Sequence, residues 1–188
     1  MKKAKLTQRI LGVALITQSI LLIPFFAMLF TDEVNWSPGD FIVMGILLFT
    51  AGLAFVLITS SESRMVHRAA FSLTIGATLL MCWANLAVGL IGSGPNTANL
   101  MYIGVLVFEI IASIRVRFKV HAMERVMYFT AAAIGLVALI ALVVNARGYT
   151  GSSIIEIVGV NTFFTALFVG SGLLFRHAAN QQSPTCTT

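Results

Sequence analysis

Asn99-Leu100-Met101-Tyr102-Ile103-Gly104-Val105-Leu106-Val107-Phe108-Glu109-Ile110-Ile111-Ala112-Ser113-Ile114-Arg115-Val116-Arg117-Phe118-Lys119 is the stretch on which the fold turns. Read alone, residues 99–114 are a short apolar run with a carboxyl in its middle, a weak candidate for crossing a bilayer. The basic residues that follow decide the matter, because loops on the cytoplasmic side carry the excess of Lys and Arg. If 99–114 spans, with the N-terminus inside, then Lys2, Lys3, Lys5, Arg9, Arg64, Arg68, Arg115, Arg117, Lys119, Arg125 and Arg176 all lie inside and only Arg147 lies outside. Removing this span would put the cluster from Arg115 to Arg125 on the wrong side.

Five further apolar runs are long enough to cross about 30 Å of hydrocarbon. The sequence therefore predicts spans at about 10–30, 41–60, 69–91, 99–114, 126–145 and 153–175, in an all-α integral membrane protein with both termini cytoplasmic. Residues 1–188 then form a single transmembrane domain, with 177–188 as a polar tail. The composition agrees: 58% of the 188 residues are apolar and 10% are charged, against about 25% charged in soluble domains. Uninterrupted runs of this length exclude the alternating pattern of a barrel. The basic segment ahead of the first run imitates a signal peptide, but the run is too long and lacks a small-x-small cleavage site, so a retained anchor is expected.

The net charge of +5 falls in short clusters between spans, which favours a membrane surface and not nucleic acid. Arg115, Arg117 and Lys119 alternate with apolar residues and suit anionic lipid headgroups. Cys82 and Cys186 are isolated and imply no disulfide framework. Ala131 with Gly135, and Ala166 with Gly170, offer small-residue stripes for close helix contact, compatible with a homo-oligomer.

Cut into hairpins, the chain places a polar residue 31 positions after a basic one three times: Arg9 and Asp40, Arg68 and Asn99, Arg125 and Glu156. Three tandem helical hairpins would account for this. Asp40 is placed to cap the second helix, and Ser153-Ile154-Ile155-Glu156 matches a capping box. The acids of 31–40 suggest a hard-cation loop, although Trp36 and Pro38-Gly39 suit an interface and a turn. His67, His121 and His177 are expected as solvated residues at the cytoplasmic surface. No catalytic residue, metal site or cofactor is expected, since phosphate-loop, nucleophile-elbow and zinc-protease patterns are missing.

Glu109 is the strongest chemical signal. Ten residues at 1.5 Å place it about 15 Å from the outer end of its helix, near the midplane. A charged residue there costs at least ~2.5 kcal/mol and usually faces a cavity or a partner. It shares a face with Tyr102, Leu106, Ala112 and Ser113. Its alternatives are a hydrogen bond to a neighbouring helix or a reach towards Arg117. Asn85 and Asn161, in the outer third of their spans, complete the candidate intramembrane polar site of Glu109, Tyr102, Asn85 and Asn161. Intramembrane amides also serve as hydrogen-bond glue between helices.

Residues 30–36, together with Trp83-Ala84-Asn85-Leu86-Ala87-Val88-Gly89-Leu90-Ile91-Gly92 continuing to Ala98-Asn99-Leu100-Met101-Tyr102, resemble a group of small, uncharacterised bacterial inner-membrane proteins of about this length. That resemblance implies an inner-membrane location and brings no activity with it. Gly94-Pro95-Asn96-Thr97 departs from the group, which carries an acidic residue and Asn-Pro there. Gly45-Ile46-Leu47-Leu48 followed by Gly52 resembles, in architecture only, the acid-resistance membrane proteins of the HdeD type. The leading expectation is a non-enzymatic packing, envelope-stress or complex-associated module. Its rivals are a small transporter or proton-conducting channel using Glu109, and an intramembrane enzyme acting on lipid or quinone.

Overall fold

In a computed structural model of the chain, described over residues 2–60, 64–92, 97–146 and 153–181, every regular element is helical. The helices are α1 (Lys2–Phe30), α2 (Pro38–Thr59), α3 (Met65–Ala87), α4 (Leu100–Arg115, preceded by the 3-10 turn Thr97–Asn99), α5 (Val120–Ala146) and α6 (Ile154–Asn180). Six stretches are long and apolar enough to cross a membrane, the fourth being Thr97–Arg115. Arg147, Gly94 to Asn96 and the end of the tail with Cys186 lie outside the described residues.

The helices outrun the apolar runs at several ends: α1 starts at Lys2, α5 at Val120, and α6 continues to Asn180. A helix needs apolar residues only where it meets hydrocarbon, so its polar ends are invisible to a hydropathy reading. The opposite correction falls at Val88 to Ile91, which are not helical. The positive φ of Gly89 (75°) and Gly92 (73°) turns the chain there. Asn99 holds the turn, its Oδ1 accepting from the backbone N–H of Leu90 (3.0 Å) and Ile91 (2.9 Å) while Nδ2 donates to the Ile91 carbonyl (3.2 Å). Leu90 and Ile91 are buried. Asn99→Ala would strand these buried backbone groups, so thermal or denaturant unfolding in detergent should show a loss of about 2–3 kcal/mol.

The chain divides into two compact units, the first made by α1 and α2 and the second by α3 to α6. In the first, the antiparallel helices meet at glycine: a Cβ at Gly52 would lie 2.6 Å from Val13 Cγ1, and one at Gly45 3.4 Å from Leu21 Cδ1. Thr17, between Val13 and Leu21 on the same face, is buried. At the start of α2 the N-cap is Ser37, whereas Asp40 occupies the third helical position and closes a capping box. Asp40 Oδ2 accepts from Ser37 N–H (2.7 Å) and from Ser37 Oγ (2.8 Å). Trp36 packs edge-on against Phe41 at 5.2 Å between centroids, a hydrophobic staple on the same turn. These contacts employ Asp40 without a cation. Ser153 and Glu156 repeat the capping box on α6; Asn99, their counterpart in the hairpin pattern, makes no side-chain cap.

In the second unit α6 packs against both α5 and α3, and α4 packs against α5 and α3. The core is a file of large side chains from these helices, including Phe71, Met81, Tyr102, Met127, Ile134, Phe164, Phe168 and Phe175. Gly135 has no atom within 4 Å of its Cβ position, and Gly170 only Leu73 Cδ2 at 3.7 Å. The close approach is instead at Gly172, where a Cβ would lie 2.7 Å from Tyr128 Cε1. His67 is another correction. It is 1% exposed because it shares the α3 face of Ala70, Phe71 and Thr74, the face turned to α6. His121 and His177 are exposed.

Candidate functional site

Glu109 is 3% exposed and therefore turned into the second unit, away from lipid. Its Oε1 accepts from the Thr78 hydroxyl of α3 at 2.8 Å. Its Oε2 is buried with no hydrogen-bond partner among the described residues, and the carboxyl does not reach Arg117, which is exposed. Thr78 Oγ1 also stands 2.8 Å from the Thr74 carbonyl. A hydroxyl has one proton and two acceptor lone pairs, so Thr78 serves either state of its neighbour. It can donate to a carboxylate, or accept the proton of a carboxylic acid while donating to Thr74.

One turn before Thr78 along α3, Thr74 Oγ1 meets Ser171 Oγ of α6 at 2.6 Å. Thr74 Oγ1 also donates to the Ala70 carbonyl at 3.0 Å and stands 3.4 Å from Met127 Sδ, so this hydroxyl pair is fully engaged. Ser113, one turn from Glu109 on α4, is buried as well.

Tyr102 and Asn161 form a separate pair. The Tyr102 hydroxyl donates to Asn161 Oδ1 at 2.8 Å, and Asn161 Nδ2 donates to the Ile157 carbonyl at 2.8 Å. Tyr102 is fully buried and Asn161 nearly so. The helix register brings Asn85 to this level by two routes. Counting seven residues on from Thr78 and seven back from its partner Glu109 reaches Asn85 and Tyr102. Counting eleven on from Thr74 and ten back from its partner Ser171 reaches Asn85 and Asn161, about 16 and 15 Å along the two helices. Asn85 Oδ1 is the second buried side-chain atom without a partner among the described residues.

The seam of α3, α4 and α6 is thus built in layers. By that register Asn85 falls at the level of the bonded pair Tyr102 and Asn161, nearest the end where α3 finishes. An apolar layer of Met81, Leu106 and Phe164 follows, then Thr78 and Glu109, then Thr74, Ser113 and Ser171. At the opposite end Phe71 stacks edge-on with Phe175 (4.9 Å) and with Phe118 (6.5 Å). Phe118 reaches this place because the backbone after α4 turns left-handed at Arg117 (φ 53°) and Phe118 (φ 55°). Phe118 N–H bonds to the Ser113 carbonyl at 3.1 Å. Two non-glycine residues in that conformation are strained by about 1–2 kcal/mol each.

Sequence reasoning named Glu109, Tyr102, Asn85 and Asn161 as the site, with Leu106 and Ser113 on the face of Glu109, and did not find Thr78 or Thr74. Hydroxyls in apolar helices commonly bond to the carbonyl one turn back, and nothing in their spacing distinguishes those that also reach across.

Six helices long and apolar enough to cross a membrane define the class: the chain is an all-α, multi-pass membrane protein. Comparison with family models, with curated proteins and with solved structures finds no match.

Proposed function

We propose that the chain is a small proton-coupled transporter of the bacterial inner membrane, with both termini cytoplasmic and Glu109 as the group that takes up and releases the proton. One observation carries this reading. Glu109 lies wholly inside the unit of α3 to α6 with one carboxylate oxygen unpartnered. A purely structural carboxyl in hydrocarbon would be expected to satisfy both oxygens, because each buried unpaired polar atom costs about 1–3 kcal/mol. Thr78 supports the same reading, since its single proton and free lone pairs suit the acid and its anion equally. A packing or envelope-stress module accounts for Tyr102, Asn161 and Asn99, whose polar atoms pair internally, and leaves Glu109 unexplained. The exposed Arg115, Arg117 and Lys119 at the end of α4 suit anionic headgroups, which would anchor that end at a membrane surface.

The test is proton uptake into liposomes of purified protein under an imposed potential, read with an entrapped pH dye. Wild type is expected to exceed protein-free liposomes at least tenfold, and Glu109→Gln to return to that baseline. Equal rates for wild type and Glu109→Gln would reject the proposal.

A further inference from the structure

The Glu109 carboxyl meets Thr78 at Oε1 and, among the described residues, nothing at Oε2. Thr78 Oγ1 in turn has two neighbours, Glu109 Oε1 and the Thr74 carbonyl, each at 2.8 Å. One hydroxyl proton cannot serve both at once. Which of them receives it follows from the state of the carboxyl.

In the acid, a proton on Oε2 would be a buried donor with no acceptor among the described residues, at a cost in stability. A proton on Oε1 instead donates to Thr78 Oγ1, whose own proton then goes to the Thr74 carbonyl. In the anion, Oε1 can only accept, so the Thr78 hydroxyl turns to it. That turn does not strand the Thr74 carbonyl, because in an α-helix it also accepts the N–H of the residue four positions on. The bond between Thr78 and Oε1 therefore survives in both states by rotation about one C–O bond. Thr74, one turn away, lacks this freedom: its hydroxyl is held among the Ala70 carbonyl, Met127 Sδ and Ser171 Oγ.

We propose that Thr78 is the positioning residue of Glu109, bonded to Oε1 through the whole protonation cycle, as acceptor from the acid and as donor to the anion. The inference deepens the transporter reading by naming how its proton-binding group is held, and it rests on that reading only where uptake is measured. A bond that outlasts the loss of the proton keeps the carboxyl at one place between α3 and α4, so that Glu109 meets each proton in the same geometry.

The experiment is infrared spectroscopy of the purified full chain in detergent, with Glu109 in its acid and in its anionic form. The spectrum of Glu109→Gln is subtracted in each background to isolate the one carboxyl. The carbonyl stretch of a carboxylic acid moves to higher wavenumber as hydrogen bonds are lost. In wild type the acid band is expected above that of the water-bonded carboxyls of the same chain, and Thr78→Val should move it higher still. The carboxylate stretches of the anion should also move in Thr78→Val. Thr78→Ser keeps the hydroxyl and should return both sets of bands to their wild-type positions, whereas Thr78→Ala, which removes it with less bulk, should reproduce the shifts of Thr78→Val. In liposomes, Thr78→Val is expected to take up protons about tenfold more slowly than wild type, the rate equivalent of one hydrogen bond to a charged group. Thr78→Ser should stay close to the wild-type rate. A residue that only fills space shifts neither band, so an acid band or a carboxylate band unmoved in Thr78→Val would overturn the proposal. Uptake at the wild-type rate in Thr78→Val would overturn it equally. The two readings fail separately: shifted bands without uptake in wild type reject the transporter and leave Thr78 as the positioning residue, and wild-type uptake with unmoved bands does the reverse.

Discussion

Glu109→Leu is expected to give a protein that is harder to unfold and unable to take up protons. The carboxyl has one oxygen with no partner, so its removal relieves a buried unsatisfied group worth about 1–3 kcal/mol. The substitution breaks the hydrogen bond from Thr78 to Oε1, and Thr78 keeps the Thr74 carbonyl at 2.8 Å. No new orphan is created. Leu also restores apolar packing against the Met81, Leu106 and Phe164 layer. Unfolding in detergent should therefore show a gain of about 1–3 kcal/mol, while proton uptake falls to the level of protein-free liposomes. Stability and activity moving in opposite directions is the signature of a group kept for its chemistry. A loss of stability in Glu109→Leu would mean that the carboxyl is a packing element whose second oxygen matters little. That outcome would return the molecule to the class of structural modules.

What could be read from the sequence divides along physical lines. The six spans were legible because length and basic flanks are local properties, and the charge pattern rescued residues 99–114 in spite of Glu109. For Glu109 the sequence left a cavity, a neighbouring helix and a reach towards Arg117 all open, and only the packed helices show the carboxyl turned inward. The partner of Glu109 was not legible, because Thr78 is found only once α3 and α4 are set in register. His67 shows the same limit: its position at a helix start suggested solvent, whereas the face it shares with Phe71 and Thr74 buries it. The turn at Val88 to Ile91 was concealed by its own hydrophobicity, although Gly89 and Gly92 mark it in retrospect. Asp40 and Glu156 were correctly seen as helix-terminal residues, while the assignment of the α2 cap to Ser37 required the hydrogen bonds themselves.

The choice among glycines is the clearest case of information that sequence withholds, and it supplies the second large effect. A small-residue stripe pointed to Gly135 and Gly170, yet the tight approach is at Gly172, beneath the ring of Tyr128. A Cβ there would lie 2.7, 3.0 and 3.2 Å from Tyr128 Cε1, Cδ1 and Cζ. These atoms are ring members, so no small torsion of a chain end relieves the clash. The ring must swing away or α5 and α6 must part. Gly172→Val adds a branched side chain at that point and is expected to lower stability by about 2–3 kcal/mol, the upper part of the range for overpacked sites. Gly135→Ala meets open space and should raise stability by up to about 1 kcal/mol through helix propensity. Unfolding in detergent of Gly172→Val, Tyr128→Ala and the double variant separates the steric clash from the backbone effect. If the ring is the obstacle, the double variant will be more stable than the sum of the two single losses predicts, by about 1 kcal/mol or more. Strict additivity would show that Tyr128 moves aside at no cost and that the α5–α6 seam tolerates a side chain at residue 172.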